Sequence, residues 1–282
     1  MQASMWITGD TADLRAATDG WRAERASIGF VPTMGALHEG HLSLVRKARA
    51  ENDKVIVSIF VNPTQFGPNE DFSRYPRTPE KDSQFLSNSG VDILYMPSPA
   101  DMYDGDAKTS VHLNEIGDHL EGPFRPGHFD GVATVVAKLL LRVGATSAYF
   151  GEKDWQQLQI VKQMARDLDI PARVIGCPII REPDGLALSS RNMYLSEGDR
   201  KTASLINRVL ADTAAAIHRH PEDIDGALIK AHSTLEAAGF KIDYVECAIA
   251  ASCTPVRNLN KPARLFVAAR IGTTRLIDNW PL

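Results

Sequence analysis

Up to about residue 176 the chain alternates short, nearly continuous apolar runs with stretches of helical period. "SIGFVP", "KVIVSIFV", "VDILYMP", "SAYFG" and "ARVIGCP" are β-branched and aromatic, the composition of strands buried on both faces. Between them lie helical segments. Thr78-Pro79 supplies an N-cap and a first-turn proline for "EKDSQFLSN". Further on, Leu158, Val161, Met164 or Ala165, and Leu168 fall on one helical face. Strand and helix in alternation predict an α/β fold with a doubly wound parallel sheet. In such a sheet ligands gather at the carboxyl ends of the strands.

After Cys177-Pro178 the pattern changes. A polar loop, "REPDGLALSSRNMYLS", leads into helix-like "EGDRKTASLINRVLADTAAAIHRH" and "EDIDGALIKAHSTLEAAG". Three strand-like runs follow, "FKIDYVECAIA", "ARLFVAARI" and "TTRLIDN". Helices followed by consecutive strands predict a smaller α+β domain with an antiparallel sheet. The expected division is therefore residues 1–176 and 177–282.

Composition narrows the function classes. The 282 residues are 44% hydrophobic and 23% charged, the balance of an ordinary globular chain. A formal charge of −4 and a pI near 6.1 offer no broad basic field for a polyanion, so no nucleic-acid partner is expected. No apolar run approaches the ~20 residues that span a bilayer. The N-terminal "MQASMWITGDTADLRAA" also lacks the basic-then-apolar pattern of a secretion signal. Cys177, Cys247 and Cys253 are odd in number and irregular in spacing, which suits buried thiols in a reducing compartment. The expectation is a cytoplasmic protein without a membrane partner.

The most pointed chemistry is in "FVPTMGALHEGHLSLVRKARA", where His38 and His41 flank Glu39-Gly40 just after an apolar strand. Zinc is a poor reading. The metalloprotease helix motif places its histidines four apart on one face, whereas these are three apart around a glycine with no third ligand nearby. Phosphate handling fits better. A strand ending at Pro32 runs through "TMGALHEGH" into a helix beginning near Gly40, so Gly35 and Gly40 permit close backbone approach and the helix start presents N–H groups. Imidazoles there can donate to phosphoryl oxygens.

Two further loops repeat this logic. "NPTQFGPNEDFSRYPRT" follows the second strand, where Asn62 and Gln65 can hydrogen-bond a small polar ligand. "FGEKDWQQLQIV" ends a strand at Gly151 and opens a helix with Lys153 and Asp154, with Gln157 on its first turn. Lysine there can neutralise phosphate, and aspartate can bind ribose hydroxyls. "LALSSRN" sets Ser189, Ser190 and Arg191 side by side, donors for a departing pyrophosphate if the loop is mobile.

His38-Glu39-Gly40-His41 resembles the HxGH signature of the nucleotidyltransferase superfamily, which includes the class I aminoacyl-tRNA synthetases. Five blocks in order, "PTMGALHEGHLSLV", "VSIFVNPTQFGPNEDFSRYPRT", "GHFDGVATVVAKLL", "YFGEKDWQQLQIV" and "GLALSSRNMYL", resemble the narrower pantothenate synthetase family, ligases that join pantoate to β-alanine. The resemblance spans roughly residues 30 to 195. It implies a Rossmann-like first domain and a two-step reaction through a pantoyl adenylate, with ATP consumed to AMP and pyrophosphate. It implies catalytic roles for His38, His41, Lys153 and Arg191. ATP would meet Met34, His38, His41, Gly151, Lys153, Asp154, Ile180, Leu188, Ser189, Ser190 and Arg191. Pantoate and β-alanine would meet Phe60, Asn62, Gln65 and Gln157. Arg125 and His128 are substrate-proximal by the same resemblance. Mg²⁺ is implied as the partner of ATP, with Asp82 as candidate ligand, and a homodimer is implied as the assembly. Two other readings stay open: transfer of a nucleotide to a phosphate ester, which wants cations where Gln65 and Gln157 stand, and a nucleotide- or RNA-binding module without turnover.

Overall fold

The computed structural model describes residues 5–68 and 70–282. The first four residues of the N-terminal stretch read above, and Asn69 within the polar loop, lie outside the described residues. The chain divides into two compact units. One comprises Met1–Leu113, Pro126–Glu152 and Ile160–Pro178; the other comprises Asn114–Arg125, Lys153–Gln159 and Ile179–Leu282. The third segment of the first unit ends at Pro178 and the second unit resumes at Ile179. Two earlier segments, however, belong with the second unit, an assignment that only tertiary contacts reveal.

The elements of the first half are β1 (Trp6–Thr8), α1 (Thr11–Ala23), β2 (Ile28–Thr33), α2 (Glu39–Glu51), β3 (Lys54–Ile59), α3 (Pro79–Asn88), β4 (Ile93–Tyr95), α4 (Pro99–Met102), α5 (His128–Val143), β5 (Ser147–Gly151), α6 (Trp155–Asp167) and β6 (Arg173–Cys177). Among the described residues, six of these strands form one sheet in the order β1-β4-β3-β2-β5-β6, and every pairing is parallel. The chain steps from β2 through β3 to β4 in one direction and from β5 to β6 in the other. The reversal falls between β2 and β5. Burial explains the apolar runs: Ile28, Phe30, Val31, Val55, Ile56, Val57 and Leu94 are all fully buried. The first-unit core joins β2, β3 and β4 to Leu44, Val45 and Ala48 of α2 and Leu86 of α3.

Two details depart from the sequence reading. The strand β1 and helix α1 precede the runs singled out above, and Asp10 caps α1 by accepting N–H bonds from Ala12 and Asp13. On α6, Leu158, Val161, Met164 and Ala165 are buried as the periodicity requires, but Leu168 lies beyond the helix end and is 49% exposed. Asp169 turns the chain with a φ of 50°, and the N–H of Ile170 returns to the carbonyl of Ala165. Ile170, past that turn, is buried.

The second unit continues with α7 (Glu197–Ala203), α8 (Leu205–Arg219), α9 (Ile224–Ala237), β7 (Lys241–Ile249), β8 (Ala263–Ile271) and β9 (Thr274–Pro281). The last three form an antiparallel sheet in sequence order. Ile206, Val209, Leu210 and Ile217 of α8 pack with Leu228 and Leu235 of α9 and Leu265, Val267 and Ala269 of β8. The smaller α+β unit with an antiparallel sheet is thus present. All three cysteines are buried and unpaired, and burial pushes their thiols up to about 11 for Cys177 and Cys247 and about 12 for Cys253. At ordinary pH they are packing groups rather than nucleophiles. No helix among the described residues is long and apolar enough to cross a membrane.

A buried ion network fastens Asn114–Arg125 within the second unit. The carboxylate of Glu121 accepts two bonds from the Arg275 guanidinium, at 2.6 and 2.8 Å, and one from the Tyr244 hydroxyl at 2.7 Å. Arg125 lies 3.9 Å away and Asp243 takes the Nε–H of Arg275. Gln156, buried on α6, accepts the N–H of Glu121 and donates to the carbonyls of Ile116 and His119. Burial alone would raise the Glu121 pKa, but the hydrogen bond and charge of Arg275 hold it below its ordinary 4.5. Its contribution to stability is therefore complete above that ordinary value and lost as pH falls through the depressed one. Arg275→Ala, which strands a buried carboxylate, is expected to cost about 3–5 kcal/mol in denaturant unfolding at pH 7. The deficit should shrink well below pH 4.5, where Glu121 is protonated with or without its partner.

Candidate functional site

The place where the strand order reverses is also where the sheet opens. β5 pairs with β2 only at Gly29 and Phe30, while β3 follows β2 on its other edge through Thr33. Pro32, which has no N–H, thus sits where β2 has lost its β5 neighbour. Beyond it the chain makes the turn Met34-Gly35-Ala36-Leu37 and enters α2. This carboxyl end of a parallel sheet at a switch point is the usual ligand position in such folds.

The turn is unusual in its backbone. Gly35 and Ala36 both have left-handed φ values, 83° and 49°. Glycine takes that conformation freely, whereas alanine is strained there by about 1–2 kcal/mol. Asp82, on the first turn of α3 and 1% exposed, holds the strained pair in place. One carboxylate oxygen accepts the N–H of Ala36 at 2.9 Å and the other accepts that of Leu37 at 2.8 Å. Thr78 occupies the predicted N-cap position of α3, but its hydroxyl donates to Asp82 at 3.1 Å instead of capping the helix. The resemblance offers Asp82 as a candidate Mg²⁺ ligand; within the protein its oxygens accept from the Ala36 and Leu37 N–H groups and from the Thr78 hydroxyl. No group of three or more His, Cys, Asp or Glu side chains among the described residues could hold a metal.

The two histidines come out of that turn interlocked. His38 is the N-cap of α2 and its Nδ1 accepts the N–H of Gly40 at 3.1 Å. His41, one turn on, accepts the N–H of His38 on its own Nδ1 at 3.3 Å. The rings lie 4.1 Å apart between centroids and both are half-buried. One helix-start N–H that the sequence leaves open to an anion is thus taken by a ring. In exchange, a neutral imidazole that accepts at Nδ1 carries its proton on Nε2, so each ring becomes a fixed donor.

The loop after β3 brings the second group. Phe60 is buried and lines an apolar cavity of about 250 Å³ together with Met34, Gly35, Ile59, Met96 and Asp82. Asn62 caps a single 3₁₀ turn, Pro63–Gln65, whose last residue is Gln65. The sequence offers Asn62 as a ligand group, but it is 1% exposed and its amide is occupied within the protein. Its Nδ2 donates to Gln65 Oε1 at 3.2 Å and to the Gly131 carbonyl at 3.1 Å. Its Oδ1 accepts from the Thr64 N–H and hydroxyl and from the Tyr103 hydroxyl. Asn62 is a positioning group for Gln65. His128 opens α5 and donates from Nδ1 to the Gln65 carbonyl at 2.7 Å, giving that histidine a role the sequence does not define. Gly131 lets α5 lie against the turn: a Cβ there would stand 2.4 Å from the Thr64 carbonyl oxygen.

The remaining candidates belong to the second unit, apart from Gly151, which ends β5 in the first. Lys153 and Asp154 lie in a 3₁₀ turn ahead of α6 rather than in the helix itself, and Gln157 is half-buried on its first turn. The β9 residue Asn279 donates to the Lys153 carbonyl at 2.9 Å, and the Trp155 indole donates to the Ala250 carbonyl at 2.6 Å. The Arg264 guanidinium stacks 3.8 Å from the Trp155 ring centroid. Ile180 and Leu188 face each other across a hairpin, with the Leu188 N–H bonded to the Ile180 carbonyl. Arg181, which the sequence does not single out, anchors that hairpin through a bidentate pair with buried Asp278 at 2.6 and 2.9 Å. Ser189 caps the short helix Ser190–Tyr194 that carries Arg191. Arg125 belongs to the Glu121 network described above.

Comparison with known proteins converges on one group. The family model described as pantoate-beta-alanine ligase matches residues 7–281. A pantothenate synthetase of Ruegeria sp. (strain TM1040) is 51% identical over 95% of this chain and 95% of its own length. The pantothenate synthetase of Sphingopyxis alaskensis is 50% identical, covering 99% of this chain and all of its own. Among solved structures, a pantothenate synthetase from Thermus thermophilus superposes with a TM-score of 0.91 at 45% identity, covering 98% of both chains. A pantoate-beta-alanine ligase from Francisella tularensis, crystallised with beta-gamma ATP and beta-alanine, gives 0.81 at 40% identity, covering 99% of this chain and 98% of that one.

Two substitutions test the scaffold. Asp82→Asn keeps the volume but turns an amide NH₂ toward a backbone N–H, and a loss of about 1–3 kcal/mol in thermal or denaturant unfolding is expected. Gly131→Ala should separate α5 from the Asn62 turn, visible as changed amide chemical shifts at Thr64 and Gln65 with those of β7–β9 unmoved. Unmoved shifts at Thr64 would mean that the turn does not depend on this approach.

Proposed function

The chain belongs to the pantoate-beta-alanine ligase family, and from that premise we propose that it condenses pantoate with β-alanine in two chemical steps. In the first, a pantoate carboxylate oxygen attacks the α-phosphorus of ATP; the bond to the β-phosphate oxygen breaks, leaving pantoyl adenylate and pyrophosphate. In the second, the β-alanine amine attacks the acyl carbon and AMP departs with the bonding electrons. The Francisella relative's complex with beta-gamma ATP and beta-alanine supports ATP and β-alanine as substrates here.

The observation that carries the reading is the interlocked histidine pair. Two Nε2–H donors, set by backbone N–H groups on the opposite ring nitrogens, stand at the start of α2 beside a switch point. Fixed donors of this kind stabilise charge on phosphoryl oxygens without reorganising during the reaction. Lys153 and Arg191 are assigned further phosphate charge, and Asp154 the ribose hydroxyls. Ser189 and Ser190 are assigned the departing pyrophosphate, while Met34, Gly151, Ile180 and Leu188 are assigned contacts with the nucleotide. Gln65 and Gln157 hold pantoate, with Phe60 against its apolar part. No side chain needs to become covalently attached, so catalysis is alignment of carboxylate with phosphorus and electrostatic support. Exclusion of water protects the acyl adenylate.

Magnesium belongs to this reading as the counter-ion of ATP. Such an ion usually keeps several waters and takes one or two carboxylates together with the substrate's phosphate oxygens. The reading takes the protein to be a cytoplasmic homodimer, for which light scattering should give about twice the 30.9 kDa chain mass.

The direct test is pyrophosphate release from Mg²⁺-ATP and pantoate, without and then with β-alanine. A burst near one equivalent, followed by turnover and AMP only after β-alanine is added, is the expected result. Absence of pantoate-dependent release from folded, ATP-binding protein would refute the substrate assignment. His41→Ala should lower the burst rate by roughly 10²-fold, the loss typical of one transition-state donor. An unchanged burst in a folded variant would remove His41 from the first step.

A further inference from the structure

Tyr103, immediately after α4, lies outside every role assigned above. Its hydroxyl is 2.7 Å from Asn62 Oδ1, the shortest of the bonds to that oxygen, and 3.2 Å from the Thr64 hydroxyl. Its ring leans on Phe60, with centroids 6.3 Å apart. The residue is firmly mounted. Its N–H returns to the Pro99 carbonyl, Ser98 and Asp101 cap α4 reciprocally, and Arg142 of α5 donates to the Asp101 carbonyl at 2.7 Å.

The polarity of the hydrogen bonds downstream is determined. A backbone N–H, that of Thr64, meets one end of the Asn62 amide, so that end is oxygen; a backbone carbonyl, that of Gly131, meets the other, so that end is nitrogen. With its nitrogen as donor, Asn62 must meet the oxygen of Gln65, which leaves the Gln65 NH₂ pointing away. Among the described residues that NH₂ meets only the Met34 thioether, at 3.0 Å, although Gln65 is 8% exposed. Sulfur of this kind is a weak acceptor, so a nearly buried amide donor is held in place with a poor partner. Burial raises the Tyr103 pKa from its ordinary value, against the lowering by its bonds to Thr64 and Asn62.

We propose that Tyr103 is a positioning residue: through Asn62 it fixes Gln65 as an N–H donor, and that donor selects an acceptor oxygen, hydroxyl or carboxylate, on the acid substrate. This rests on the reading that Gln65 holds pantoate. A substrate analogue whose hydroxyl is replaced by hydrogen would leave the amide with its thioether alone and should be discriminated against.

Tyr103→Phe keeps the ring and removes only the hydroxyl. The expected result is a rise in KM for pantoate of about five- to tenfold, the value of one neutral hydrogen bond, with KM for ATP unchanged. In a Gln65→Ala background the same change should add less than twofold, because the group it positions is gone. A purely structural tyrosine would instead lower the melting temperature without separating the two KM values, and either an unmoved pantoate KM or an undiminished effect in the Gln65→Ala background overturns the proposal. The Gln65 side-chain NH₂ resonance, assigned by its loss in Gln65→Ala, supplies a reading that needs no substrate. It should be a resolved pair in the parent protein and broadened in Tyr103→Phe, and an identical pair in both overturns the relay. If the parent protein fails to turn over pantoate, the ligase reading falls on its own account, and the resonance still decides whether Tyr103 orients Gln65.

Discussion

The carboxylate of Asp82 gripping the N–H groups of Ala36 and Leu37 is the contact on which the candidate chemistry depends. Two consecutive left-handed residues do not persist in a loop unless something over-determines them. Here a buried charge does so, and it needs both amides as much as they need it, because an unpaired carboxylate at that depth would be expensive. The turn so fixed hands the chain to α2 with His38 at the cap. The histidine pair then takes part of its orientation from backbone N–H groups.

Asn62 does for the β3 loop what Asp82 does for the β2 loop. In each case a fully buried polar side chain, contacting main-chain groups, positions a neighbour proposed to meet ligand. β2 and β3 are adjacent and in register, so the two loops leave the sheet side by side. The division of labour follows from the parallel fold: strands set where the loops begin, and one buried side chain per loop sets where they go.

Much of this is legible in the sequence. Continuous apolar runs mark β2 to β5 because strands buried on both faces leave no polar alternation to confuse with helix, while β6, at the sheet edge, is buried only at Cys177. The glycines and histidines of "TMGALHEGH" announce a strand-to-helix turn with donors on it. What escapes is the support. Nothing local distinguishes Asp82 from any acidic residue in a first helical turn, and its partners are 45 and 46 positions away. For Asn62 the sequence shows an amide's capacity for hydrogen bonds but not the partners it meets, Gln65, Gly131, Thr64 and Tyr103. Tyr103, 41 positions from Asn62, carries no motif at all. Leu168 misleads because period arithmetic does not see where a left-handed residue ends a helix.

The Glu121 network has a bearing on the order in which the chain can complete itself. Arg275 is 154 positions downstream and lies in β9, the last strand. During synthesis the segment Asn114–Arg125 emerges long before the charge that holds it, and the Tyr244 hydroxyl arrives earlier than the guanidinium. The second unit thus ties Asn114–Arg125 both to a near neighbour in sequence, Gln156, and to groups far downstream, Tyr244 and Arg275.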